Sequence, residues 1–351
     1  MIANPVSSTP LWGQAWELTV MYGAAPPIVI TSNSWEPNAL RMTFEVLQTT
    51  LPSPWWFADI KIYNLNSEAL QNTLFNATWC RLKAGFQTGS NLYSLIWDGP
   101  ILQVLFSRED VVDQVCTLHC VNNPIVMNSI VTFAAGPFSS QQTVVSRMAA
   151  SIGLPPVDPS QATQDAAAYS AMTAKQFPRG KTVFGKVGKY LQQVADDNFM
   201  TTFRDGEKAY IASIQNPNFT PTITYSPPTA PGVANPALPA GVTASIIGTP
   251  QQTPFGVIFT VLLDPRLKVQ LPVQVVALDR STIINQIPVV PNPNSGVVTP
   301  YTSDLSFLVA QIRHTGDTRG NTWDTEVTGY SATYARQLLD GIFAASSTGV
   351  Q

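Results

Sequence analysis

The first ~135 residues are cut by Pro and Gly into short runs whose apolar residues recur at every second position, a pattern that a half-buried β-strand satisfies and a helix does not. Candidate strands are Glu17–Tyr22, Ile28–Thr31, Arg41–Gln48, Ala58–Leu65, Arg81–Phe86, Leu92–Trp97, Ile101–Phe106, Val111–Cys120 and Ile125–Phe133. Short strands at this frequency predict a sandwich or barrel. One short helix is predicted over Glu68–Leu74, capped by Ser67.

The pattern changes at Gly136-Pro137. From Ser140 it becomes helical, with Val144, Val145, Met148, Ala149 and Ile152 on one face and a stop at Gly153 and Pro155-Pro156. A polar loop over Asp158–Lys175 leads to a second predicted helix, Thr182–Asp197, then to strands Phe199–Arg204 and Lys208–Ile214 joined at Asp205-Gly206. Pro, Ala, Thr and Gly dominate from Asn216 to Pro254, which reads as a loop or extended linker. A second β-region runs from Phe255 to about Thr328, broken by a Pro/Asn-rich loop over Ile287–Pro300, and a helix is predicted over Ala332–Phe343. The chain is expected to be mainly β with a small α/β insert. The expected boundaries are a first β-barrel domain over 1–136, an α/β domain over 137–215, a Pro-rich linker over 216–254 and a second β-barrel domain with a C-terminal helix over 255–351. No repeat is visible in the letters.

At 351 residues the chain has the length of about two domains. Charged residues make up only 12%, about half the usual ~25%. Such a surface relies on Asn, Gln, Ser and Thr, or is partly covered by other chains, which favours an assembly subunit. Net charge is −3 and no Lys/Arg run occurs, so no electrostatic footprint for nucleic acid or anionic lipid is present. The start, Met1-Ile2-Ala3-Asn4-Pro5, lacks the basic and apolar regions of a signal peptide, so folding in a cytoplasm is expected. The apolar stretch Phe255 to Leu263 is far shorter than the ~20 residues that span a bilayer, and stable membrane insertion is not expected.

Candidate chemistry is sparse. Cys116, His119 and Cys120 have ligand-like spacing, but strand alternation sends Cys116, Leu118 and Cys120 to one face and His119 to the other, so buried free thiols are expected rather than zinc. Gly180-Lys181-Thr182 resembles the end of a phosphate-binding loop, but the position of its first glycine holds Lys175. No Gly-X-Ser-X-Gly occurs. His314 and Asp317 lie in one Gly-containing segment, read as an acid–base pair or, preferably, as a turn between strands Phe307–Arg313 and Thr322–Thr328. No catalytic, cofactor-binding or metal-ligating residue is assigned.

The apolar segments say more. In Trp55 to Tyr63 alternation turns Trp56, Ala58, Ile60 and Ile62 inward and leaves Trp55, Phe57 and Tyr63 on the outer face, either as a contact surface or under a second layer of the same chain. Phe255, Val257 and Phe259 belong to a strand apolar on both faces, which needs a covering layer from this chain or a neighbour. These six residues are the candidate interface.

At these segments the sequence resembles the baseplate hub (tail hub) proteins of contractile phage tails and related injection machines. The matching pieces are Ala58 to Leu65, Arg81 to Phe86, Leu95 to Ile101, Phe255 to Val257, Leu262 to Leu267, and His314 to Asp317 with Trp323, in order from about residue 15 to 330. One departure is Gln270-Leu271-Pro272, where a glycine turn is expected before a strand. The resemblance implies a homotrimer in which each subunit supplies two tail-tube-like β-barrels. Three copies then imitate a sixfold ring, with tail tube protein on one side, a trimeric central spike on the other, and other baseplate or tape-measure components around them. It further implies a structural virion tail protein without enzymatic activity, assembled in the host bacterial cytoplasm, through whose lumen DNA passes without sequence-specific binding. The scheme requires the stretches before Gly136 and after Pro254 to be alike in shape, each with its own core. Two other readings are a glycan- or receptor-binding tail-tip module using Trp55 and Phe57, and a cell-wall hydrolase resting on His314 and Asp317.

Overall fold

The computed structural model describes residues 13–23, 26–33, 40–49, 56–65, 74–86, 93–109, 113–122, 129–151, 172–198, 200–205, 208–213, 223–226, 242–253, 256–275 and 306–330. The helices predicted at Glu68–Leu74 and Ala332–Phe343, the loop over Ile287–Pro300, and Trp55 and Phe255 lie wholly or almost wholly outside them. The chain is mainly β, as the strand-length alternation requires.

The first region supplies β1 (Gln14–Met21), β2 (Ile28–Asn33), β3 (Met42–Thr49), β4 (Trp56–Tyr63), β5 (Trp79–Phe86), β6 (Tyr93–Arg108) and β7 (Gln114–Asn122). The predicted strands Leu92–Trp97 and Ile101–Phe106 are one strand, β6. Its first half pairs with β5 and its second half with β7, with register shifts in both ladders. The crossing is at Gly99-Pro100: a side chain at Gly99 would stand 2.9 Å from the Trp97 ring, and Pro100 lacks an N–H for a regular ladder. β6 thus turns a corner between two layers, which meet where Cys80 Sγ of β5 lies 3.4 Å from Cys120 Sγ of β7.

The middle section is a small α/β unit. It contains β8 (Ile130–Ala135), β9 (Ser139–Ser140), α1 (Gln141–Ser151), β10 (Gln176–Phe177), β11 (Lys181–Lys186), α2 (Val187–Asp196), β12 (Met200–Asp205) and β13 (Lys208–Ser213). Ser140 caps α1, its Oγ accepting from the Thr143 N–H at 3.2 Å. Val144, Val145, Met148 and Ala149 of α1 are buried on the predicted face. They share a separate core with Val131, Val183, Val187 and Leu191. Two expectations change here. Thr182–Lys186 is strand, not the start of a helix, because it pairs with β8 from Lys181↔Ala135 to Lys186↔Ile130 and buries Val183 in the core shared with the two helices. β8 therefore pairs within this unit and not with the strands of the first β-region, which show no closing pairing among the described residues.

The second region supplies β14 (Ile223–Ser226), β15 (Val242–Thr253), β16 (Gly256–Leu262), β17 (Pro272–Val275), β18 (Ser306–Asp317) and β19 (Trp323–Tyr330). They run in the order β17-β14-β15-β16-β19-β18, and β17 pairs with β18, so the six strands close into a barrel. β14 and β15 fall inside 216–254, so the supposed linker provides part of the barrel wall. Its Pro-rich letters hid two strands. At the departure from the expected glycine turn, Gln270 adopts φ 64°, the conformation a glycine adopts without strain.

The two β-regions are joined by β3 and β18, which pair antiparallel from Thr43↔Asp317 to Thr49↔Gln311. Around this seam the strands run β6-β7-β4-β3 on one side and β15-β16-β19-β18 on the other, all antiparallel. The halves match in strand order and direction, as if related by a twofold axis through the seam. β4 (WFADIKIY) and β19 (WDTEVTGY) have the same length, begin with Trp, end with Tyr and share one burial pattern. Their positions in the chain are exchanged: the seam hairpin β3-β4 precedes β6-β7 in the first region, whereas β18-β19 follows β15-β16 in the second. The expectation of separate cores is not met. Buried residues of both regions form one contiguous cluster from Trp16 to Val327, because the seam brings the two interiors together.

Apolar packing and the ladder hold the seam more than its charges do. Arg41 donates to Asp317 at 2.9 Å and Arg313 to Glu45 at 2.9 Å. Both pairs are largely exposed and contribute ~0–1 kcal/mol each. Met42 and Thr318 exchange two hydrogen bonds, at 2.9 and 3.0 Å, at one end. Gly316 lets the Phe44 and Trp323 rings meet edge-on at 5.2 Å; a Cβ there would stand 2.4 Å from Phe44. Gly316→Val is expected to lower unfolding free energy by about 2 kcal/mol or more, whereas Gly136→Ala, with open space around it, should be near neutral. Urea denaturation of both variants checks this.

Candidate assembly surfaces

The interior of the second barrel carries a buried polar cluster that includes His314. Asp264, 1% exposed, follows β16. It accepts from Tyr225 Oη of β14 at 3.0 Å and from Arg266 Nε at 2.9 Å. Its own N–H donates to Thr325 Oγ1 at 3.1 Å, and Thr325 Oγ1 lies 2.8 Å from His314 Nδ1. Burial pushes the Tyr225 phenol well above its usual range, and the negative Asp264 adds to this. Burial, aided by the positive Lys268, holds His314 down at about 3, so it is neutral in the folded chain.

His314 and Asp317, the acid–base candidates, are not brought together. Strand alternation turns His314 and Gly316 into the core and Arg313, Thr315 and Asp317 outward. Burial works against the Asp317 carboxylate, but Arg41 together with the backbone N–H groups of Arg319 and Gly320 outweighs it and holds the pKa below the usual value. The cluster therefore ties four barrel segments together and offers no paired general acid and base. His119 lies on the opposite face from the thiols, 2.6 Å from Asp59 Oδ1, as alternation predicts. Cys80, Cys116 and Cys120 are buried and free. Burial raises the Cys116 thiol to about 12; the Cys80 contact, then burial, raises Cys120.

The six candidate interface residues separate. Val257 and Phe259 are each 2% exposed and fill the barrel's own interior, so this chain covers that face of the strand, while Ile258, Thr260 and Leu262 on the other face are half-buried. Tyr63 is also buried, beneath the Arg41 guanidinium, which lies 4.6 Å above its ring; the last residue of β4 breaks the alternation expected of it. Phe57 is half-buried and is the one described member that still faces outward.

The accessible apolar surface lies elsewhere. The second half of β6 exposes Leu102, Leu105 and Phe106, and Phe106 borders a shallow cleft of about 260 Å³ with Leu65, Arg108, Gln114 and Val115. The signal was present in the sequence: Ile101-Leu102-Gln103-Val104-Leu105-Phe106 is apolar on both faces, as was noted for the strand beginning at Phe255, but here no second layer from the described residues covers it. In the α/β unit, Ile130 and Phe184 project from the face of the β8–β11 ladder opposite α1 and α2. Among the described residues no helix is long and apolar enough to cross a membrane.

No protein-family model matches the sequence, and no curated protein matches it. Solved structures do. A tail protein from Neisseria meningitidis MC58 superposes with a TM-score of 0.51 at 10% identity, covering 91% of this chain and 97% of that one. A tail protein of prophage MuSo2 from Shewanella oneidensis superposes with a TM-score of 0.50 at 8% identity, covering 91% and 98%. The chain has the fold of these tail proteins over nearly its whole length.

Because His314 is neutral when folded and protonates near pH 6.5 when unfolded, the unfolded state binds more protons between these values. Its contribution to stability is full above pH 6.5 and is lost as pH falls toward 3. Unfolding free energy is expected to fall by about 2 kcal/mol from pH 7 to pH 5 through this group. Urea titrations at both pH values, with His314→Gln as the variant that loses this dependence, measure it.

Proposed function

We propose that this chain is a structural subunit of a phage-type tail: a trimeric hub that adapts a sixfold tail tube to a threefold central spike. The observation that carries the reading is the pair of matched four-stranded halves about the β3–β18 seam. A partner with sixfold symmetry reads the outer surface, and three copies of a chain with two like halves present six similar surfaces in a closed ring. The shared core contradicts the requirement of two separate interiors, and the reading rests on the matched outer strand order of the halves alone. That core fixes the two halves rigidly to each other.

The fold shared with the two tail proteins supports a place in a tail, and the low charge content suits a subunit with much of its surface covered. The role is mechanical rather than enzymatic. The assembled ring would form part of a channel through which DNA passes, held without sequence-specific contacts because the chain has no Lys/Arg run. Partners on this reading are tail tube protein, the central spike and neighbouring baseplate or tape-measure components, and its place is the virion tail.

Light scattering on the purified chain is expected to give three times its 38.0 kDa mass, and the trimer should co-sediment with rings of the cognate tube protein. A strict monomer that binds neither tube nor spike protein contradicts the reading.

A further inference from the structure

The α/β unit differs in charge from the chain that carries it. The whole chain has 19 basic and 22 acidic residues. The described residues of the unit, 129–151 and 172–198, hold Arg147, Lys175, Arg179, Lys181, Lys186 and Lys189 against Asp196 and Asp197 alone. Both acids come at the end of α2, which packs on one side of the β8–β11 ladder.

The other side of that ladder is bare. Ile130, Thr132 and Ala134 of β8 and Thr182, Phe184 and Lys186 of β11 alternate away from the helices and all are exposed, Ile130 at 71% and Phe184 at 70%. Across the ladder Ile130 faces Lys186, Thr132 faces Phe184 and Ala134 faces Thr182, so large groups stand at one end and small ones follow. Pairing resumes in the same register at Ser139↔Phe177, between β9 and β10. The interruption holds Gly136 and Gly180, which have no side chains, and Phe138, which is 69% exposed. Phe138 adopts φ 60°, a conformation that Gly or Asn takes far more readily than an aromatic residue. The surface is thus low over Ala134, Thr182 and the two glycines, with Ile130 and Phe184 raised at one end and Phe138 beyond the other.

The edges of the ladder are already occupied. The Val187 N–H donates to Ser129 O at 2.9 Å, which makes the odd-numbered residues the hydrogen-bonded pairs and turns the even-numbered carbonyls outward. Arg147 Nη1 donates to Ala134 O at 3.2 Å on the β8 edge, and Tyr190 Oη to Phe184 O at 3.0 Å on the β11 edge. Strand addition needs those groups free. The face remains, and a sheet with helices on one side is completed by a helix on the other. From Ile130 to Phe138 the ribbon spans roughly 25 Å, the length of about 16 helical residues.

Charge sets the chemistry of the occupant. Lys186 stands on the face, Arg179 is exposed at the interruption, and no acidic residue lies in either strand or between β8 and β9 or β10 and β11. A lipid surface would be met by apolar tips at the middle of the patch, which is where this one is lowest. We infer that the bare face of the β8–β11 ladder binds an amphipathic helix of a partner protein. Its apolar stripe lies along the low surface, and acidic residues on its margins meet Lys186 at one end and Arg179 at the other. The inference is independent of the trimer reading, because it involves the α/β unit alone.

The full chain is tested with a fluorescein-labelled helical peptide of that length, a Leu/Ala stripe with Glu margins, and with the same peptide carrying Lys margins. Fluorescence anisotropy is expected to show the Glu peptide binding at least about tenfold more tightly. Ile130→Ser combined with Phe184→Ser, both exposed positions, should keep the far-UV spectrum and lose at least about tenfold in affinity. Arg179→Glu combined with Lys186→Glu should narrow the preference for the Glu peptide. No binding, equal binding of the two peptides, or no effect of the Ser pair overturns the assignment. So do three results that name another occupant. Co-sedimentation with phosphatidylglycerol vesicles, abolished by the Ser pair, gives the face to a lipid surface. Self-association lost in the Ser pair gives it to a second copy. A Phe184→Cys thiol that resists a maleimide in the native chain, whose own three cysteines are buried, shows that the chain covers the face itself.

Discussion

The antiparallel pairing of β3 with β18 is the constraint on which the rest of the architecture depends. It joins residues 276 apart in sequence, Arg41 and Asp317, Met42 and Thr318. Closing a loop of that length costs conformational entropy before any contact returns it. The return comes from seven ladder positions and from the core that Phe44, Val46, Ile312, Trp323 and Val327 build on one side of it. The exposed ion pairs Arg41–Asp317 and Arg313–Glu45 add little to this. Once the seam forms, the four-stranded group on each side has a fixed mate, and the corner strands β6 and β15 are held at equal distances from the centre.

That geometry links fold to use. Two independent barrels on a flexible linker would let their outer faces drift, and a ring partner would find the second at a variable angle. Here the stretch from Asn216 to Pro254 contributes β14 and β15 to the barrel wall, and the two interiors merge. The buried Tyr225–Asp264–Arg266 group and the His314–Thr325 contact reinforce the second barrel by tying β14, β18 and β19 to the turn after β16. Buried polar groups with satisfied partners specify one arrangement over near alternatives.

Much of this was legible in the sequence, and the reasons are local. Alternation alone placed Trp56, Ala58, Ile60 and Ile62 inside, separated His119 from Cys116 and Cys120, and located α1 by its apolar face. Where tertiary pairing decided, the letters misled. Thr182–Lys186 looks like the first turn of a helix until β8 lies beside it. β14 and β15 hide among prolines because Pro250 sits at an edge where a missing N–H costs little. The likeness of the two halves left no repeat in the letters because their hairpins are exchanged along the chain; β4 and β19, each Trp-to-Tyr with one burial pattern, are its clearest trace. The candidate interface drew on residues such as Val257 and Phe259 that the chain's own barrel covers. Leu102 and Phe106, apolar on both faces of one run, lay unmarked.

The central claim is that one polypeptide presents two equivalent surfaces, so that three polypeptides present six. Electron-microscope class averages of the purified assembly viewed down its axis test this most directly. The account predicts a closed ring with six similar lobes, alternating only slightly around the circle. A ring with three lobes of one kind, or two classes of lobe of clearly different size and radius, would contradict it.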